Sequence, residues 1–500
     1  MQRTHRLALS VVLAALVLAG CALRGGQAPG VASPTVPGPS PTVPSVLVSS
    51  TMQNPGGIAA GYGKLYLVAL DPSDGSVRWR YQTDWHPYQP VGAPTEADGI
   101  VYIVSDPVPS MAKCSNPEGN LVALRESDGR QLWSVSVGFL PTPPVVANGV
   151  VYSSALQFDE CATPGSRQVF ARSYYALRAG DGHQLWRTDL TQDSTDTNPD
   201  HSIGFTSSLQ LVDGTLVDTA DTGASETGDR TGHIFAFDAA SGKARWKNTF
   251  FTNQSTYSII ANGLVYVRTH AAEAPTHDWT AYRASDGQQV LKVSGGYSGR
   301  FLVDGGAIYA DAEYETAAST PQQPVLDTKV VALDGHSGQQ LWEMTADTSD
   351  VNNINALLAV HNTTVYTQMG PSDFAQKAAG HWKLEGVDAQ SGHVRWTAPL
   401  QWLLGRTLLT DAALYGYSDD MLPGQLVALD PGDGHTLWST PIDSAQTAGE
   451  GDHLRSLVLG GGTLYAANES NTVIGVRAQD GAILWKVKME GDEVEMTVVR

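Results

Sequence analysis

Short apolar runs and clusters of Gly, Asp, Asn and Ser take turns along this chain from about residue 47 onward. Val145-Val146-Ala147 gives way to Asn148-Gly149, and Val150-Val151-Tyr152 follows at once. This is the pattern of short strands joined by tight turns; the helical spacing i, i+3, i+4 never takes over. The pattern is also periodic. A small-residue strand, a turn with Asp or Ser before Gly, and a Trp four residues after that Gly recur along the chain, first as Ala69-Leu70-Asp71-Pro72-Ser73-Asp74-Gly75-Ser76-Val77-Arg78-Trp79. The turn glycines are Gly75, Gly129, Gly182, Gly242, Gly287, Gly338, Gly392, Gly434 and Gly481. Trp79, Trp133, Trp186, Trp246, Trp342, Trp396, Trp438 and Trp485 follow them, and the fifth copy has Leu291 instead. A mean period of about 51 residues means stacked identical units.

A second signature, Gly then two apolar residues then Tyr, opens a strand in most units, as in Gly99–Tyr102, Gly149–Tyr152, Gly263–Tyr266, Gly306–Tyr309 and Gly462–Tyr465. Each unit thus holds four strands: A, B (Gly-x-x-Tyr), C (small residues) and D (ending in Trp). Four antiparallel strands per unit and many units give an all-β fold, a β-propeller of four-stranded antiparallel blades. Eight blades are expected, with one half-unit outside the ring; the motif count gives nine. The first copy, Leu65–Trp79, lacks a full A–B pair and Val494–Val499 is left over, so a closing blade built from both termini is the simplest use of these pieces. A-to-B and C-to-D turns are short. The long insertions Ser105–Asn120, Ser153–Ser173, Asp218–Gly232, Ala310–Asp327 and Gln368–His381 fall on the other face. Insertions gathered on one face mark a binding face, although loops on any face tolerate drift.

The N-terminus changes the picture. Residues 1–20 read as a secretion signal: Arg3 and Arg6 precede an apolar run, Leu7 to Leu18, too short to span a bilayer. Its end, Leu18-Ala19-Gly20-Cys21, resembles the lipobox of bacterial lipoproteins, which implies a signal peptide cut before a lipidated, palmitate-bearing Cys21. Ordinary cleavage of a secreted chain is the alternative. Residues 21–46 carry Pro29, Pro34, Pro37, Pro39, Pro41 and Pro44 and read as an extended tether. Residues 47–500 form the propeller. The expected location is extracytoplasmic, lipid-anchored to a bacterial cell membrane or outer membrane.

With 51 acidic and 31 basic residues the formal net charge is −20, which makes nucleic acid a poor partner. The run Asp218, Asp221, Glu226, Asp229 has no EF-hand spacing and reads as a solvated acidic loop, so no metal site is expected. Cys114 and Cys161 lie in B-to-C connections of adjacent units and are expected to form a disulfide in a secreted chain.

The repeat Ala-x-Asp-x-x-(Thr/Ser/Asp)-Gly-x-x-x-Trp resembles the tryptophan-docking motif of the quinoprotein (PQQ-like) propeller family over about residues 60–490. The resemblance implies that each Trp packs between blades. Quinoprotein dehydrogenases of that family carry a vicinal cysteine pair beside the quinone, and many carry a haem motif; this chain has neither. PQQ and Ca²⁺ are therefore not favoured, and no catalytic residue is assigned. The non-enzyme branch includes the lipoprotein scaffold of the outer-membrane β-barrel assembly machinery. The expected function is a membrane-anchored, monomeric scaffold or binding module for an envelope protein or a small anionic ligand. The alternative is a quinone-dependent dehydrogenase.

One set of residues carries a site hypothesis. Arg300, Arg406 and Arg455 each stand where a strand A begins, so they are expected to ring the channel mouth on the long-loop face. Guanidinium forks suit carboxylates. Trp85 and Trp402, in D-to-A connections on that face, are expected to add apolar anchors. The plainer alternative pairs each arginine with a neighbouring acid such as Asp304, Asp411 or Asp452.

Overall fold

The computed structural model describes residues 44–499 apart from 53–62, 86–92, 106–118, 139, 141, 160–167, 192–202, 208, 223–229, 253–257, 271–276, 295–300, 316–325, 346–352, 372–381, 402, 419–423, 443–453 and 492. Every element among them is a β-strand. The strands form nine antiparallel sheets, and each sheet is one blade. The motif count of nine therefore holds, and the expected eight does not. The half-unit is inside the ring: Glu493–Val499 supplies strand A of blade 1, while Ser45–Met52, Gly63–Leu70 and Val77–Trp85 supply B, C and D. Ser45 stands opposite Val499 and Thr51 opposite Glu493. Blades 2 to 9 follow in chain order, from Thr95–Ser136 to Leu454–Lys488. Blade 4 divides its strand A into Ile203–Ser207 and Gln210–Val212.

Strand A is innermost. The A strands of successive blades touch, as Leu404–Leu409 touches Leu454–Gly460 and the latter touches Glu493–Val499. Strand D is the outer edge, where Gln131–Ser136 and Ile483–Lys488 bury little but their Trp. The A-to-B turns are two-residue hairpins such as Asp98-Gly99 and Asn148-Gly149, with φ of 53° and 74°, and 51° and 72°. Asn-Gly and Asp-Gly tolerate those positive values, which match the strand twist.

The strands run further into several insertions than the sequence pattern suggests. Val150–Asp159 and Gln168–Arg178 take up much of the connection expected at Ser153–Ser173. Thr215–Thr222 likewise absorbs Asp218. Asp218 is fully buried, not part of a solvated acidic loop.

Candidate functional site

The repeat signature is spent on the seams between blades. In strand C a small residue stands opposite each Trp, as Ala69 opposite Trp79, Ala123 opposite Trp133 and Gly475 opposite Trp485. The indole lies over that residue and reaches the next blade. Seven of the eight indoles donate their N–H to a backbone carbonyl there: Trp79 to Glu126, Trp133 to Ala179, Trp186 to Ala239, Trp246 to Ala284, Trp342 to Ala389, Trp438 to Ala478 and Trp485 to Pro72, at 2.6–3.0 Å. At the eighth seam the Tyr366 hydroxyl donates to Pro431 at 3.0 Å. The turn glycine receives the indole face. A Cβ on Gly242 would stand 2.5 Å from Trp186, and the φ of 69° already disfavours any other residue. Gly and Trp of one copy therefore serve two different seams.

Polar side chains close the seams nearer the axis. Two residues beyond the Tyr of Gly-x-x-Tyr, strand B carries Ser154, Arg268, Asp311 and Gln368, with Thr219 at the matching place in blade 4. Thr219 shares a hydrogen bond with Ser258 at 2.7 Å, and Asp311 accepts the backbone N–H of Leu357 at 2.8 Å. Gln368 grips Leu404 twice: its amide donates to the Leu404 carbonyl at 3.0 Å and accepts the Leu404 N–H at 2.9 Å. Each contact runs from strand B of one blade to strand A of the next. Reading the repeats in alignment with Gly-x-x-Tyr exposes this position in the sequence; reading them for apolar period alone misses it.

The step after Gln368 involves two of the predicted arginines. Arg406 and Arg455 both occupy irregular points of an inner strand. The register of blade 8 shifts between Gly405 and Leu408, and that of blade 9 between Leu454 and Ser456. Such bulges re-aim side chains out of the pleat. Arg406, with a φ of 20°, donates its Nε–H across the seam to the Leu454 carbonyl at 3.0 Å. Arg455 is the next residue. It is half-buried, and its Nε is enclosed without a hydrogen-bond partner. Asp411 does not pair with Arg406: at the other end of strand A it bonds His361, the last residue of strand A of blade 7, at 2.6 Å. No described carboxylate forms an ion pair with Arg406 or Arg455.

Arg300, Trp402, Cys21, Cys114 and Cys161 lie outside the described residues. Trp85 ends strand D of blade 1, opposite Gly63.

Two further charged groups escape the sequence reading. Arg172 of blade 3 and Asp218 of blade 4 form an ion pair at 2.8 Å with both side chains at 0% exposure, and the Tyr174 hydroxyl donates to the same carboxylate oxygen at 2.8 Å. Burial pushes the Tyr174 phenol well above its ordinary pKa, and the Asp218 charge adds to the shift. Glu385, in strand C of blade 7, takes a place that is Val122 in blade 2, Val331 in blade 6 and Ile474 in blade 9. Its Oε2 is buried without a partner, and desolvation raises its pKa against the weaker opposing pull of Lys383. The metal-capable triple Asp430, Asp433 and His435 lies in the C-to-D turn of blade 8. Its carboxylates already accept the Gly432 and His435 N–H groups, which is turn chemistry.

Comparison with known proteins agrees with the repeat. Solved structures similar to this chain include BamB from Moraxella catarrhalis, at 15% identity over 71% of this chain and 91% of that one, with a TM-score of 0.38. Quinohemoprotein alcohol dehydrogenase ADHIIG from Pseudomonas putida HK5 is 14% identical over 83% and 69%, with a TM-score of 0.42. Apo AztD from Citrobacter koseri is 9% identical over 92% and 98%, with a TM-score of 0.47. No curated protein matches the sequence. The profile of one family, described as outer membrane protein assembly factor BamB, matches in overlapping stretches, residues 40–137, 64–317, 171–440 and 326–500. With its signature residues spent on blade seams and that profile running through all nine blades, this chain belongs to the BamB-like PQQ-repeat propeller family.

Proposed function

We propose that this protein is a lipid-anchored, extracytoplasmic propeller that works as a scaffold or binding module for an envelope protein. The observation that carries this reading is the use of the signature. Trp, Gly and the small strand-C residues hold blades together, so variation is left to the B-to-C and D-to-A connections and to the inner-strand ends beside them. The membership in a family described as an outer-membrane assembly factor supports an envelope protein as partner. Quinone turnover is disfavoured on the sequence itself: Cys114 and Cys161 cannot form the vicinal pair of the dehydrogenases that the repeat resembles.

The anchor is Cys21, at the end of the signal core. One acyl chain binds membranes only marginally, so stable anchoring takes more than one. Cys21→Ser is expected to release the protein from the membrane fraction; unchanged fractionation without a mass shift refutes the anchor. Cys114 and Cys161 form the disulfide, and two reactive thiols in the unreduced, folded protein refute it. The scaffold reading is tested by crosslinking in native membranes followed by purification of the full-length protein. A reproducible envelope partner supports it. A quinone absorbance band after addition of PQQ and Ca²⁺, with alcohol-dependent bleaching and no crosslinked partner, replaces it with the dehydrogenase reading.

A further inference from the structure

We propose that Arg406 and Arg455 form a carboxylate seat at the long-connection end of the seam between blades 8 and 9. This rests on the binding-module reading and names the chemistry of its site.

Four observations meet here. First, the two arginines stand on adjacent inner strands and are linked through one backbone group. Arg406 binds the carbonyl of Leu454, and Leu454 is bonded in sequence to Arg455. Second, both sit at register shifts, so neither side chain is held in the pleat of its strand. Third, the backbone leading to them is fixed. Gln368 is 3% exposed and binds both polar groups of Leu404, two residues before Arg406. Fourth, neither guanidinium meets a described carboxylate, in a chain whose formal charge is −20. The contrast with Arg172, which is sealed against Asp218, is direct.

Two neighbouring cations on rigid strands repel each other until an anion joins them. Among the described residues Arg406 spends only its Nε, which leaves its terminal N–H groups for a ligand. Arg455 is half-buried and its Nε is sealed from solvent, so a ligand meets its terminal N–H groups. Planar forks of this kind take a carboxylate by paired N–H···O contacts, whereas a lysine would offer only a point charge. The source of the carboxylate is a small acid or the acidic side chains of a partner segment. The surrounding negative field disfavours highly charged polyanions such as nucleic acid.

The test uses the full mature chain and two probes, succinate and an acetylated tetraglutamate peptide, followed by calorimetric titration and thermal shift. Binding of either probe that weakens at least tenfold in both Arg406→Gln and Arg455→Gln is expected. It should recover in part in Arg455→Lys and weaken with added salt. Succinate binding identifies a small-acid site; peptide binding without succinate identifies a partner's acidic segment. No binding of either probe to the wild-type chain overturns the seat, whatever the variants do, and so does equal binding to wild type and both Gln variants. Crosslinking in membranes with Arg406→Gln/Arg455→Gln separates the two levels. A partner still captured when neither probe binds wild type leaves the scaffold standing without the seat. Probe binding by a chain that captures no partner leaves the seat without the scaffold.

Discussion

Trp485 donates its indole N–H to the carbonyl of Pro72 at 3.0 Å, joining two residues 413 positions apart. Blade 9 thereby docks on blade 1 by the contact that joins blades 1 and 2, where Trp79 reaches Glu126. The C-terminal strand adds a second closure, since Glu493–Val499 is strand A of the blade whose other strands open the propeller. Ring closure therefore uses the repeat contact and a strand contributed by each end of the propeller.

The Gly–Trp dock is a pairwise interaction, and a double-mutant cycle isolates it. Trp186→Ala is expected to cost about 3–5 kcal/mol. Gly242→Ala alone places a methyl against the Trp186 ring and is strained by its positive φ, so it is destabilising too. In the double variant the ring is gone and only the backbone strain of the Gly242→Ala change remains, so the two costs should sum to more than the combined loss. Urea denaturation of the four proteins measures this. Strict additivity would remove the indole as the cause of the glycine requirement.

Arg172 and Asp218 give a coupling of charges in place of one of packing. Breaking a buried pair leaves an uncompensated charge and costs about 3–5 kcal/mol. Asp218→Ala is expected in that range. Arg172→Met with Asp218→Leu and Tyr174→Phe, which also removes the hydroxyl that donates to Asp218, restores an apolar seam between blades 3 and 4 and should recover most of the loss. The midpoint of chemical denaturation is the readout, and a triple variant as unstable as Asp218→Ala would mean that the cluster is more than a seam contact.

Glu385 predicts a pH dependence. Its folded pKa is raised because burial penalises the charged carboxylate, so the folded state prefers the protonated form. The stability this contributes is fully present below the ordinary carboxyl pKa and is lost as pH rises through the raised value. Glu385→Gln keeps a neutral polar group there at every pH. Its advantage over wild type in melting temperature should therefore be largest at neutral to alkaline pH and shrink toward pH 4. The turn acids act in the other direction. Hydrogen bonds from Ser73 and Arg78 hold Asp71 down to about 2, so its contribution fails only in acid. A Gln variant whose gain is the same at pH 4 and pH 8 would exclude Glu385 as the source.

Most of the fold was legible because the residues that build the seams are also the ones that repeat. Gly needs a positive φ and an indole-sized neighbour, and Ala or Gly must stand opposite Trp. Those constraints recur at a fixed spacing and leave a pattern in one sequence. Blade number was harder, because the half-units at the two ends become one blade only when Val494–Val499 finds Ser45–Met52 across the whole chain. Arg406 and Arg455 were legible as a position, at the start of strand A, but the bulges that free them have no signature of their own. Arg172, Asp218 and Glu385 were not legible at all. Val122, Val331 and Ile474 fill the place of Glu385 in other blades, and a charge in a strand reads as a solvent-facing residue until its surroundings are known.

The seam after blade 5 tests whether the Trp is required or only a bulky ring at that depth. Leu291 replaces the indole, and the Cβ of a residue at Gly338 would meet Leu291 instead of a ring. The missing volume is supplied from the inner side of the seam. Trp279 in strand C of blade 5 and Phe301 in strand A of blade 6 lie with ring centroids 3.8 Å apart, at 2% and 1% exposure, and Tyr266 meets Phe301 edge-on at 5.9 Å. Phe301→Ala opens a cavity among these rings and is expected to cost about 3–5 kcal/mol, as much as removal of a repeat Trp. Phe301→Leu should cost less, since it refills part of the space. Leu291→Trp is not expected to stabilise the chain, because the ring it adds competes for a seam already packed from within. Melting temperatures of the three variants decide the point. A Leu291→Trp variant more stable than wild type, together with a silent Phe301→Ala, would show that the seam is underfilled and that the aromatic cluster does not replace the lost indole.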